Sequence, residues 1–277
     1  MSGHEYPSRA SASLSQEGRL FMKILGLAAI LCLLSIDAVA QDPLKILPNA
    51  YKLEFENDWV RVVRVHYAPH EKLPAHEHTP TASAYVYLND GGPVVFKHTD
   101  KEYGAVTRPA TKAGSFRIYH GIQEHHEVEN QSDVPSEFLR VEFKTDPIGE
   151  KSLRGRFYRE DYPAGENFSK VQFENEQIRI TRFVCAPGKK IEISTGSGEP
   201  ALLIYLSSAK FSNARKGGRT APFRVEPGQT RWIAFSQTEN LENTGVAPAE
   251  FLRFDFKTRP LPVQELERLR KHEHPNN

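Results

Sequence analysis

Internal repetition constrains this chain more than any other feature. Phe-Glu-Asn stands at 55–57 and again at 173–175, and Phe-Lys-Thr at 143–145 and again at 256–258, offsets of 118 and 113. At the first offset, residues 52–69 and 170–187 agree at eight of eighteen positions; at the second, residues 130–145 and 243–258 agree at nine of sixteen. Chance matching at ordinary composition would give roughly one agreement per segment. The chain therefore carries one module twice, each copy about a hundred residues long, which is a domain's worth.

Within each copy the apolar residues follow a period of two. Trp59, Val60, Val62, Val63, Val65 and Tyr67 open the first, followed by short apolar runs over 83–88, 94–96, 116–119 and 138–143. Asn89-Asp90-Gly91-Gly92 and Asn130-Gln131-Ser132-Asp133 are turn signals between them. The second copy repeats the scheme over 178–185, 201–206, 231–235 and 251–256. This is the pattern of an antiparallel β barrel or sandwich, and 16 Phe and 10 Tyr supply strand-favouring aromatics. Residues 151–170 read as a linker leading into the first strand of the second copy. The one convincing helical pattern covers 263–271, with Pro262 at its start. The expected divisions are 1–40, an N-terminal extension with an export signal; 41–150, the first module; 151–262, the second; and 263–277, a terminal helix and tail.

The export signal rests on Lys23 followed by an apolar run of 13 residues, 24–36. A bilayer span needs about 20. Ala38-Val39-Ala40 then offers small residues suited to cleavage before Gln41. Met22 makes a natural start, so Met1 and Met22 are alternative beginnings, and residues 1–21 are left out of fold reasoning. Export to a periplasmic or extracellular space, with no stable membrane insertion after cleavage, is the expectation. Cys185 is then the sole cysteine, so no internal disulfide can form and stability must come from the core. Lys plus Arg number 36 against 35 Asp plus Glu. That balance gives no field to draw nucleic acid or anionic lipid, and points to a small-molecule or metal-centred role for a monomer or homodimer.

The histidines carry the strongest chemical signal. Eight of eleven fall between 66 and 126, while the second copy has none. On a strand, His76 and His78 share one face about 7 Å apart and Glu77 points to the other, so both imidazoles can reach one ion. His125 and His126 lie in a later strand segment. Alternation lets only one of them enter the same space.

These residues resemble the two sequence motifs of the cupin superfamily, and the duplication resembles a bicupin. His76 and His78 match the histidine pair of the first motif, and Asn89-Asp90-Gly91 its closing turn. His126 and Asn130 match the end of the second motif, Gly114 its opening glycine and Gly121 its internal one in a lengthened turn. The first motif's opening glycine is replaced by His70, and its glutamate position falls on Ala82 or Ser83. The resemblance implies an all-β fold of two tandem double-stranded β-helix (jelly-roll) barrels, with one divalent metal (Fe, Zn, Ni, Cu or Mn) held by His76, His78 and His126. The second copy aligns Ser194 and Gly196 with the histidine pair and Glu239 with His126, which implies that it holds no metal.

Function stays open between two classes. A metal-dependent enzyme of dioxygenase or isomerase/lyase type would need proton-transfer groups, and His120 and Glu124 beside the third histidine are the candidates. A non-catalytic module of the cell envelope would capture a small molecule or the metal itself. His125 is expected outside the cavity, His98 at its edge, Tyr85 and Tyr87 as barrel packing, and Cys185 as a buried apolar residue.

Overall fold

The structure, a computed structural model, describes residues 42–99, 104–121, 124–147, 153–196, 198–213 and 221–266, all within one compact unit, Gln41–Asn277. A single helical turn, α1 (Pro43–Ile46), is capped by Asp42, whose carboxylate accepts from the Leu44 amide. The first barrel then runs β1 (Tyr51–Glu56), β2 (Val60–Tyr67), β3 (Lys72–His78), β4 (Ser83–Tyr87), β5 (Val94–His98), β6 (Ala105–Arg108), β7 (Phe116–Tyr119), β8 (Glu124–Asn130), β9 (Ser136–Phe143) and β10 (Arg154–Phe157). The second runs β11 (Phe168–Glu174), β12 (Ile178–Cys185), β13 (Lys190–Ser194), β14 (Ala201–Tyr205), β15 (Ala209–Asn213), β16 (Ala221–Val225), β17 (Thr230–Ile233), β18 (Thr238–Asn243) and β19 (Ala249–Phe256).

Strand orders are β1-β2-β9-β4-β7-β10 against β3-β8-β5-β6, and β11-β12-β19-β14-β17 against β13-β18-β15-β16. Apart from β10, the two halves have the same jelly-roll topology. β10 pairs with β7, which places residues 154–157 on the first barrel's sheet although the sequence division had put them with the second module. Residues 263–266 are helical; the remainder of the expected helix lies outside the described residues, as does the expected export signal.

The repeated tripeptides make the same contacts in each half. Asn57 Oδ1 accepts from the Trp59 and Val60 amides, and Asn175 Oδ1 from those of Gln177 and Ile178. Lys144 then reaches Glu56 and the Asn57 carbonyl, as Lys257 reaches Glu174 and the Asn175 carbonyl. β1 and β11 carry a bulge at equivalent places. Asn130 and Asn243, both buried, donate to carbonyls of the preceding and following loops. Asn130, the last residue of the second motif, is thus a structural clamp, since Asn243 performs the same task where the histidines are missing.

The two larger sheets pack face to face. Val60, Val62, Ala84, Val86, Phe116, Ile118, Leu139, Val141 and Phe143 of the first meet Ile178, Ile180, Leu202, Ile204, Leu252, Phe254 and Phe256 of the second in one apolar cluster. Side chains alternate across a strand, so the neighbours Arg61, Val63, Val65, Tyr85, Arg117, Phe138 and Arg140 are directed into the first barrel. The seam is doubly reciprocal. Arg64 lies against the turn at Gly228, where an added Cβ would fall 2.6 Å from Arg64 Nη2, and Arg182 donates to the carbonyl of Gly114. Both glycines sit at positive φ, +76° for Gly114 and +82° for Gly228, where a side chain would strain the backbone.

Phe254 is fully buried in this seam, its ring tilted against that of Phe143 at 6.4 Å. Phe254→Ala is expected to lower the unfolding free energy by about 3–5 kcal/mol, read by urea denaturation with Trp59 and Trp232 fluorescence as probes. One cooperative transition for both barrels is expected. A transition that splits, with its first-barrel part unmoved, would show that the barrels do not support each other.

Candidate metal centre

β3 and β8 build the site. Their antiparallel register runs Lys72 with Glu129 and Leu73 with Val128, then jumps to His76 with His126, so Pro74 and Ala75 together oppose Glu127. Proline lacks an amide hydrogen, and a bulge tolerates its missing ladder bond. Beyond the bulge the strand alternates in the expected way: His76 and His78 are 1% and 6% exposed and Glu77 is half-buried on the other face. From β8 it is His126, 2% exposed, that enters; His125 is exposed and its Nδ1 meets Thr99 Oγ1 at 2.7 Å. One ligand nitrogen from each of His76, His78 and His126 lies within 4.8 Å of the others.

The protonation states suit a cation. His76 Nδ1 is 2.9 Å from the Pro74 carbonyl, which can only accept, so Nδ1 carries the hydrogen and the Nε2 lone pair faces the cavity. His78 is held well below the usual imidazole range, chiefly by burial, then by the charges of Arg140, His126, His76 and Arg61. Neutral imidazoles with inward lone pairs are what a divalent ion requires of its ligands.

The sequence reading did not place Tyr51 here. From β1 its hydroxyl reaches His76 Nε2 at 2.7 Å and the Tyr67 hydroxyl at 2.8 Å, and its ring packs on both His76 and His78. A tyrosine 25 residues before His76 gives no spacing signal. Only the β1–β2–β9 sheet folding over β3 brings it in.

Above the histidines opens a cavity of about 580 Å³, counted to its mouth, walled by Tyr51, Tyr67, Tyr85, Tyr87, Phe96 and Phe138. Three arginines also line it: Arg108, Arg117 and Arg140. Arg140 Nε is 3.0 Å from Glu142, and Arg61 joins the same carboxylate at 3.7 Å. The second barrel repeats this cluster as Arg253, Asp255 and Arg179 without any histidines beside it, so it is part of the inherited framework.

Of the residues proposed for proton transfer, His120 packs on the Tyr119 ring at 4.4 Å and stands outside the ring of side chains that line the cavity. Glu124 pairs with His78 along the backbone; its side chain lies outside the described residues. His98 lies edge-on to His126 at 5.4 Å, its Nδ1 near the Gly104 carbonyl. Tyr85 and Tyr87 both face the cavity.

The second barrel needs one correction to the alignment. β13 has no bulge, so Ile193 pairs with Glu239 as His76 pairs with His126. Ile193 and Thr195, rather than Ser194 and Gly196, therefore stand in place of His76 and His78. Ile193 is fully buried and joins Phe211, Tyr205, Leu241 and Phe251 in an apolar filling of the interior. Glu239 does stand in place of His126. Its Oε1 is 2.7 Å from Arg231 Nη2.

A depressed His78 makes the metal-free fold acid-sensitive. Below about pH 6.5 the unfolded chain takes up a proton that native His78 refuses, so stability is complete above that pH and declines beneath it, by up to about 1.4 kcal/mol per pH unit for this one group. Urea titrations of metal-free protein between pH 7.5 and 5 should show the decline, and His78→Gln should make it shallower. An unchanged slope in that variant would reject the assignment.

No protein-family model matches the sequence, and neither does any curated protein. Solved structures match in fold. AerE from Microcystis aeruginosa superposes with a TM-score of 0.52 at 13% identity, over 75% of this chain and 97% of that one. The oxalate decarboxylase formate complex from Lactobacillus farciminis gives 0.50 at 12% identity, over 80% and 82%. A Cupin 2 conserved barrel domain protein from Leptotrichia buccalis gives 0.48 at 14%, over 75% and 88%. At these identities the likeness is one of architecture: this chain is all-β and has the fold of tandem cupin-type barrels.

Proposed function

We propose that the first barrel is the working half of an exported metal-dependent enzyme, of dioxygenase or isomerase/lyase type, that acts on a small organic molecule, and that the second barrel is its structural partner. One observation carries the reading: three buried imidazoles from two strands meet beside an aromatic-walled cavity that His78 and His126 line. His76, His78 and His126 would hold the ion. With no carboxylate in the set among the described residues, the ion's charge would stay undiminished, which suits Fe, Zn, Ni or Cu and is compatible with Mn. Bound there, a divalent ion supplies a Lewis acid or, if it is iron, a dioxygen-reactive centre.

The chain's own groups complete the site. The Tyr51 hydroxyl meets the His76 Nε2 lone pair and the Tyr67 hydroxyl; an ion held by Nε2 would take the first of these places, leaving Tyr51 bonded to Tyr67 with its proton beside the ion, better placed for acid–base work than His120. The aromatic wall excludes water and accepts an apolar body. Export is supported by Lys23, the apolar run behind it and Ala38-Val39-Ala40. Mass measurement of the secreted protein should find Gln41 at its start.

Elemental analysis of untagged mature protein is the direct test. About one equivalent of a transition metal per chain is expected, lost in His76→Ala, His78→Ala and His126→Ala and kept in Ser194→Ala, all with folded spectra. Metal-free wild-type protein that also fails to take up Fe, Zn, Ni, Cu or Mn would end the proposal. Tightly held zinc with no turnover of carbonyl, thiol or phenolic compounds would convert it to a binding module.

A further inference from the structure

We infer that the molecule taken by the first barrel carries a carboxylate, that Arg117 binds that group, and that an aromatic or branched apolar body fills the rest of the cavity. Arg117 lies at the centre of β7, directed inward between Phe116 and Ile118 of the seam, and is 8% exposed. Its guanidinium stacks over Tyr85 at 4.2 Å and lies 5.5 Å from the Tyr119 ring. No carboxylate or hydrogen-bond acceptor meets its side chain among the described residues, and its Nε is buried without a partner. A π face offsets only part of the cost of desolvating a cation. Among the described residues the lining holds Arg108 and Arg140 as well and no Asp or Glu, so it adds positive charge beside Arg117.

The second barrel shows what satisfies this arginine. Tyr85 pairs with Arg117 across β4 and β7, and at the equivalent register Leu203 pairs with Arg231 across β14 and β17. Arg231 is thus the counterpart of Arg117, and it forms an ion pair with Glu239 at 2.7 Å. Glu239 occupies the position of His126. Where the module has lost its histidines, a carboxylate of the chain itself sits at the former centre and neutralises the arginine. Where the histidines remain, the arginine faces an open cavity and lacks that carboxylate. A ligand carboxylate between the three histidines and Arg117 restores the missing charge, and the six aromatic rings around it leave space for an apolar body rather than a second anionic group.

This rests on the proposed metal centre for where the carboxylate lies, but its recognition by Arg117 is separately measurable. Isothermal titration of mature protein with benzoate and its neutral isostere benzamide, alongside elemental analysis of each sample, provides the test. Benzoate should bind and benzamide should bind at least about tenfold more weakly. Arg117→Gln should weaken benzoate at least about tenfold, the range expected for a buried charge-assisted pair, while keeping the wild-type metal content, and Arg117→Lys should recover part of the loss. Equal affinity for benzamide, no benzoate binding by wild-type protein, or undiminished binding by Arg117→Gln would overturn the inference and leave the metal centre standing. Arg117-dependent benzoate binding by protein that takes up no metal would do the reverse.

Discussion

Everything in this molecule depends on a sheet face being given up to its neighbour. Each barrel commits one side of its larger sheet to the apolar seam, so the strands β2, β4, β7 and β9 are buried on both faces. Side chains alternate at fixed spacing, and a strand that holds every second position in the seam must send the positions between them inward. The seam therefore sets the inward direction of Tyr85, Arg117, Phe138 and Arg140. Packing outside the cavity determines what lies within it.

From that common frame the two halves diverged in a physically coherent way. The second barrel filled its interior with Ile193, Phe211 and Phe251 and paired Arg231, the counterpart of Arg117, with Glu239. The first kept three imidazoles, six aromatic walls and an unneutralised arginine. A single bulge at Pro74 marks the difference in backbone, since it sets His76 rather than Ala75 across from His126. Features present in both halves, such as the Asn130 and Asn243 clamps or the Arg140–Glu142 and Arg253–Asp255 pairs, belong to the framework. Features present in one half belong to its chemistry.

Much of this was legible along the chain. Strands with apolar runs were read closely: 178–185 coincides with β12, and 116–119 with β7. The polar strands β6, β10, β13 and β16 were not, because their outer faces carry charged or small residues and offer no apolar run for a period to show. The histidine triad was legible because alternation on β3 is local and the second pair had few partners to choose from. Tyr51 and Arg117 were invisible for two reasons. Their distance from the triad along the chain carries no pattern, and in a strand buried on both faces the residue types do not tell which face is which. His120 is a candidate by sequence proximity to the third histidine, and its ring lies against Tyr119.

By itself, then, the order of residues determined the duplication, the β character, and the concentration of metal-binding side chains in one half, since these follow from periodicity and composition within short stretches. Only the tertiary structure decided that the barrels lean on each other, that a bulge shifts the second copy's equivalents by one residue, and that a tyrosine and an arginine join the histidines. Those outcomes arise from contacts between strands tens of residues apart, where burial on both sides of a sheet, rather than any local preference, chooses the direction of each side chain.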